Sequence, residues 1–318
     1  MIRIIRRPVT LLSALIAGLV LAGCGSGPSQ VSSAAIVGDH SIPLDDVQSE
    51  IQWLLDNVPE AAQAQEQRKF DLQSREVVRN RIIHQLTTVA AEREGLRADP
   101  AEVDELIERS GGAETVARRV GVEPSRVRDI ASDQSLVQQL AQRYLDRLSV
   151  RIVGTTIVTE SPGATAKEQA LELGRKIAAD PANVEQLVES GGHQLIDTTL
   201  SLAQTLQNQP EIAASAVFGA AEGSVLVIQP SQEQAEWLVA IVRDRTVSPA
   251  TGDAASAASQ VSPQYLYYAG MRLLQPIADE LGVRVNPRYG VWDATALSPA
   301  ASQEELTGYQ LDSRTVQP

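Results

Sequence analysis

The side chains able to do covalent or acid–base chemistry here are few: three histidines, His40, His84 and His193, and one cysteine, Cys24. His40 has only the adjacent Asp39 beside it, and no carboxylate or cysteine stands at metal-ligand spacing. His84 lies between Ile83 and Gln85-Leu86 in a helical pattern and reads as a half-buried packing residue, while His193 follows Gly191-Gly192 and reads as a polar turn residue. The sequence holds no Gly-x-Ser-x-Gly elbow, no phosphate-binding loop with lysine and no His-Glu-x-x-His pair, so hydrolase and nucleotide chemistry lack a starting point. The acids of residues 92–108 are interleaved with Arg93, Arg97 and Arg109, the pattern of a solvated helix face rather than of an acid/base pair. No metal or cofactor is expected.

The elements that would have to position any site come from 318 residues, 43% of them hydrophobic and 21% charged, enough for about two domains. Forty acids against 27 bases leave a net charge of −13, and aromatics make up 3%. Nucleic-acid binding needs cations for phosphates and flat rings for bases, so that class is excluded. With one cysteine there is no internal disulfide framework.

At the amino terminus, Arg3, Arg6 and Arg7 precede an uncharged run from Val9 to Ala22, the layout of an export signal. As a helix that run would span about 21 Å, short of the roughly 30 Å hydrocarbon core of a membrane. It ends in Leu21-Ala22-Gly23-Cys24, which resembles a bacterial lipobox. That resemblance implies a signal peptide over residues 1–23, lipidation of Cys24, and a Gly/Ser-rich tether over 24–33. Each buried CH₂ contributes about 0.8 kcal/mol, so two or three acyl chains would hold a soluble body at a membrane. Losing the three arginines would take the charge from −13 to −16, a surface that anionic headgroups repel, which leaves anchoring to the lipid.

Residues 34–149 read as a mainly helical module. Ala34–Val37 and a second extended piece at Ile42 lead into a helix carrying Val47, Ile51, Leu54 and Leu55, and Pro59 closes it. A single long helix is expected over 60–94, stopped near Gly95, and Asp99-Pro100-Ala101-Glu102 marks the start of the next. From Val150 the β-branched residues cluster as strand formers do, and residues 150–247 read as strand, helices, strand, strand, a small α+β unit. Residues 248–261 read as a linker. Helical periodicity returns from Pro263 to Leu281, kinked at Pro276, followed by a strand at Val283–Val285, within a segment 262–297 that must dock on the first module to bury its apolar face. Residues 298–318 are polar and read as a disordered tail.

That order of segments resembles the SurA-like and PrsA-like envelope chaperones, over most of residues 34–292. Its best local matches are Ala35-Ile36-Val37-Gly38-Asp39-His40-Ser41-Ile42 before the first helix and Val285-Asn286-Pro287-Arg288-Tyr289-Gly290-Val291-Trp292 near the end. The implied fold class is α+β: a mostly helical chaperone module, completed by the carboxyl-terminal helix and strand, with an inserted parvulin-like α+β domain. The resemblance also implies that Val283–Val285 pairs with Ala35–Val37. Within the insert, Pro210-Glu211-Ile212 through Phe218 and Gly223 resembles the parvulin stretch that buries a phenylalanine ahead of a glycine turn. Active parvulins carry two histidines facing across the proline pocket; the corresponding positions here are Thr156 and Trp237, so the specialised site is degenerate. The expected function is that of a lipid-anchored extracytoplasmic holdase whose partners are unfolded or newly exported polypeptides and the membrane, with Trp53, Phe218 and Trp237 as candidate client-binding residues. The alternatives are a prolyl isomerase with a pocket around Phe218 and Trp237, and a structural envelope lipoprotein with one specific partner.

Overall fold

Residues far apart in the chain meet in the first sheet. The computed structural model describes residues 31–158, 165–231, 235–250 and 258–313; the expected export signal, Cys24 and parts of the tether and linker lie outside the described residues. Strand β1 (Ser33–Val37) pairs antiparallel with β2 (His40–Pro43) on one edge and, on the other, with β7 (Val283–Val285), Ala35 lying opposite Val285 and Val37 opposite Val283. The Asn286 side-chain amide donates to the Ser33 carbonyl at 2.9 Å and fixes that junction.

Helices α1 (Leu44–Asn57) and α3 (Asp71–Glu94) pack on this sheet, and α6 (Val127–Tyr144) packs on α3. The expected continuous helix over 60–94 is instead α2 (Pro59–Glu66) and α3, separated by a turn at which Arg68 takes φ 58. Residues 60–69 are mostly Ala, Gln and Glu, and α2 buries only Ala61, so no apolar stripe holds its direction to that of α3. Helix α4 (Pro100–Arg109) starts where Asp99 accepts from the Ala101 amide at 2.8 Å, and α5 (Ala113–Val120) follows Gly111-Gly112.

The returning segment divides at Leu274 into α11 (Pro263–Leu273) and α12 (Gln275–Leu281), because Pro276 lacks the amide a continuous helix needs. α11 lies on α6 in a backbone-close contact. A Cβ built on Gly270 would stand 2.1 Å from the Val137 carbonyl oxygen, so only glycine allows that approach.

Four strands from the middle of the chain and one from residues 308–312 form a five-stranded antiparallel sheet in the order β10-β5-β6-β3-β4. Its strands are β3 (Leu148–Ile157), β4 (Ile196–Ser201), β5 (Ser224–Ile228), β6 (Trp237–Val247) and β10 (Gly308–Asp312). One face is covered by α7 (Ala166–Ala179), opened by a Thr165/Glu168 capping box, and by α8 (Val184–Ser190), which bury Val153, Ile157, Val227, Val239 and Ile241. Part of the other face shares one apolar core with the helical module: Val150, Ile152, Leu226 and Ala240 cluster with Leu140, Leu145, Leu266 and Leu274. Helices α9 (Leu202–Asn208) and α10 (Pro210–Ala213) lie between β4 and the turn carrying Phe218.

The expectation of disorder from residue 298 is corrected by the structure. β8 (Val291–Asp293) pairs with β9 (Ser298–Ala300), and β10 completes the larger sheet beside β5, Tyr309 opposite Val227 and Leu311 opposite Val225. Polar composition misleads here because a strand added to an existing edge is held by backbone hydrogen bonds and needs only alternate apolar side chains. Polar contacts fasten this strap, Gln275 and Asp279 each bonding the Gln310 side chain and Arg79 donating to the Leu297 carbonyl. Asp293, 2% exposed, accepts from the amides of Thr295, Ala296 and Thr307 and from both threonine hydroxyls at 2.7 to 3.1 Å. Arg272 donates to the Thr295 carbonyl from a site so buried that its guanidinium is pushed down to about 10. Lys167 reaches the Glu304 and Leu306 carbonyls while standing 5.8 Å from the Trp237 ring centre and 5.5 Å from that of Tyr309.

Candidate functional site

The sheet face not covered by α7 and α8 opens, toward β4, into a cavity of about 560 Å³. Alternate residues supply its floor: Ile152 and Thr156 from β3, Leu238 from β6, and Ile196, Thr198 and Leu200 from β4. Asn208, Gln209, Glu211 and Ile212, at the α9–α10 junction, and Pro230, Ser231 and Glu236, between β5 and β6, complete the lining. Gly154 lies between Ile152 and Thr156 on β3, and a Cβ there would meet the Val239 carbonyl oxygen at 2.0 Å, so glycine permits the close β3–β6 approach beneath the groove. Among the described residues the lining holds no imidazole, thiol or amine, and its ionisable groups are the carboxylates of Glu211 and Glu236.

The structure brings together only part of the sequence-derived set. Thr156 lines the groove, half-buried. Its cross-strand partner is Leu238, whereas Trp237 pairs with Ile157 and packs with it beneath α7 and α8. Trp237 therefore does not face Thr156; a one-residue offset on a strand reverses the face. Phe218 is fully buried in the main core and presents no surface to a client. A single pocket around Phe218 and Trp237 is ruled out, because the two side chains belong to cores on opposite faces of the sheet. Trp53 is half-buried on α1, bridging the main core to the small cluster of Val116, Ala117, Val122 and Val127, and is not among the groove residues. Leu238 and all of β4 were missed in the sequence; the alternation Ile196-Asp197-Thr198-Thr199-Leu200 was the available signal for the strand.

Two buried polar pairs in the helical module tie its helices together. Glu50, fully buried, accepts from Arg81 Nε at 2.7 Å and ties α1 to α3; burial pushes its carboxyl up, and Arg81 opposes that. His84 Nδ1 lies 2.9 and 3.0 Å from the two Asp133 oxygens, joining α3 to α6. Accepting that hydrogen bond, Asp133 raises the His84 pKa, more than burial of the ring lowers it. Burial pushes the Asp133 carboxyl up, and the hydrogen bond to His84 offsets that only in part. A folded-state histidine pKa above the unfolded value of about 6.5 gives stability that is complete below that value and is lost as pH rises through the folded pKa. We expect chemical-denaturation midpoints to fall as pH rises above about 6.5, and His84→Gln to flatten that dependence; an unchanged slope in the variant would refute the linkage. His40 is exposed on β2, and His193 follows Gly192 outside the groove. Among the described residues no three His, Cys, Asp or Glu side chains gather as a metal site.

With β1, β2 and the following helices placed, the amino-terminal comparison can be read. Residues 1–112 match the SurA-like N-terminal domain. The match covers about a third of the chain and takes in β1 through α4, which the returning segment α11–β7 completes in space. No curated protein matches the chain. Among solved structures, the foldase protein PrsA from Lactococcus lactis is similar at 12% identity, over 80% of this chain and 94% of that one, with a TM-score of 0.28.

Proposed function

We propose that the protein is an extracytoplasmic holdase, lipid-anchored at Cys24, that holds unfolded or newly exported polypeptides without catalysing a covalent step. The observation that carries this reading is the groove on the β3–β4–β6 face: an open cavity whose floor joins Ile152, Ile196, Leu200 and Leu238 to Thr156 and Thr198, with no imidazole among the described residues. The SurA-like domain over residues 1–112 supports it, as does the lipobox-like Leu21-Ala22-Gly23-Cys24 for the anchor. Transient burial of a few hundred Å² at about 25 cal/mol per Å² supplies several kcal/mol, largely offset by association entropy, which makes holding broad and reversible.

A prolyl isomerase is the second reading, because Thr156, one of the two positions at which the parvulin resemblance puts a pocket histidine, lines the groove. An isomerase stabilises a twisted amide against a barrel of apolar side chains and lowers a barrier of about 20 kcal/mol by preferential binding of that state, so acid–base groups are not obligatory. Two measurements separate the readings. Equimolar protein is expected to slow aggregation of an unfolded exported substrate several-fold while leaving a proline-limited refolding phase unchanged. Acceleration of refolding would establish the isomerase, and no effect in either assay would remove both readings.

A further inference from the structure

A second cavity, of about 210 Å³, lies at the seam between the helices and the large sheet. Helices α3, α6, α11 and α12 supply Ala90, Leu140, Leu273 and Ile277 respectively, and the end of β6 supplies Arg245 and Val247. None of these residues lines the groove. Arg245 enters the seam because it lies opposite Val150 on β3, and cross-strand partners share a face; Val150 is fully buried in the core shared with the helices. Val247 follows on the same face of β6 and is 38% exposed.

Charge in this cavity is unbalanced. Glu94 accepts from the Tyr144 hydroxyl at 2.6 Å and meets Arg143 at 3.1 Å, and Arg93 is held by Glu280 at 2.6 and 2.9 Å. Arg245 has no comparable partner. Its Nη2 reaches the Phe218 carbonyl only at 3.5 Å, its Nε is enclosed with nothing to donate to, and among the described residues no carboxylate stands within ion-pair distance. Burial accordingly pushes the guanidinium down, opposed by the nearby Tyr144 hydroxyl. A cation withdrawn from water without a counter-charge costs free energy that an incoming anion would recover.

Size and lining restrict that anion. An apolar cavity of about 150 Å³ takes a benzene-sized group, so this one admits one branched side chain with a charge beside it rather than a length of chain. A single free guanidinium matches the two oxygens of a carboxylate, whereas a doubly charged phosphate would find no second free cation in the lining.

We infer that this seam binds an apolar monocarboxylate, its carboxylate on Arg245 and its aliphatic group among Leu140, Leu273 and Ile277. A free fatty acid and the carboxyl end of a polypeptide finishing in leucine share that chemistry. Calorimetric titration of the full chain is expected to show N-acetyl-leucine binding about tenfold or more tighter than its amide, which lacks the charge, and than N-acetylglycine, which lacks the side chain. Arg245→Gln should erase the preference for acid over amide and leave the melting temperature unchanged or higher. Val247→Glu keeps Arg245 but sets a carboxylate two residues along the same strand face, and should weaken N-acetyl-leucine about tenfold. Octanoate against a pentapeptide with a free carboxyl-terminal leucine tells the two sources apart by which binds tighter. No binding of any probe, equal affinities for acid and amide, or undiminished binding in both variants would overturn the inference. So would a fall of more than about 5 °C in Arg245→Gln, which would mark the side chain as a structural support. Aggregation suppression is read at the groove, so either result can fail without the other.

Discussion

Asp293→Ala is expected to lower the melting temperature by about 10 °C and to strip hydrogen-exchange protection from residues 308–312 first. The carboxylate is 2% exposed and accepts five hydrogen bonds, three from backbone amides that have no other partner of that kind in the loop between β8 and β10. Leaving a buried donor unsatisfied costs about 1–3 kcal/mol, so three amides with partial rescue by water give roughly 3–5 kcal/mol. For a chain of this size each kcal/mol moves the midpoint by about 2–4 °C. Asp293→Asn provides the control: one amide oxygen can keep the three donors now on Oδ1, while its NH₂ would oppose the two from Thr307. The asparagine variant should therefore lose about half as much. A shift below 2 °C for the alanine variant would show that the strap is held by other contacts.

The second large effect is functional. Ile196→Asp/Ile212→Asp is expected to abolish aggregation suppression while moving the melting temperature by only a few degrees. Both side chains are half-buried at the groove and neither fills the fully enclosed core, so charging them alters the surface offered to a client more than the fold. Full burial of one such aliphatic side chain contributes about 1.5–3 kcal/mol, or roughly ten- to hundredfold in affinity, and two introduced carboxylates add a desolvation cost. Retained suppression at equimolar protein would place client binding elsewhere, with half-buried Trp53 the next position to alter.

Local signals made the helical module legible. Asp99-Pro100 opens α4, Gly95 closes α3 in the left-handed region, and Pro276 divides the returning helix, each because the cause lies within a few residues of its effect. The break at Arg68 was not legible, since no glycine or proline marks it and the cause is the missing apolar stripe of α2. The site was half legible. Thr156, given by the resemblance as a pocket position, lines the groove, but setting Trp237 opposite it needs a cross-strand register that only the assembled sheet defines. β10 was missed for a related reason: Gly308–Asp312 has little strand character alone, and its stability comes from an edge laid down far earlier in the sequence.

The bond from Asn286 to Ser33 spans 253 residues. A polypeptide emerging amino-terminus first therefore presents β1 with one edge unmatched until nearly everything else has been delivered, and the large sheet waits longer still for its last member. Closing loops of that length is slow because chain entropy is spent before any contact rewards it. Both sheets are therefore incomplete, each with an unmatched edge, until the segments around Val283–Val285 and Gly308–Asp312 arrive.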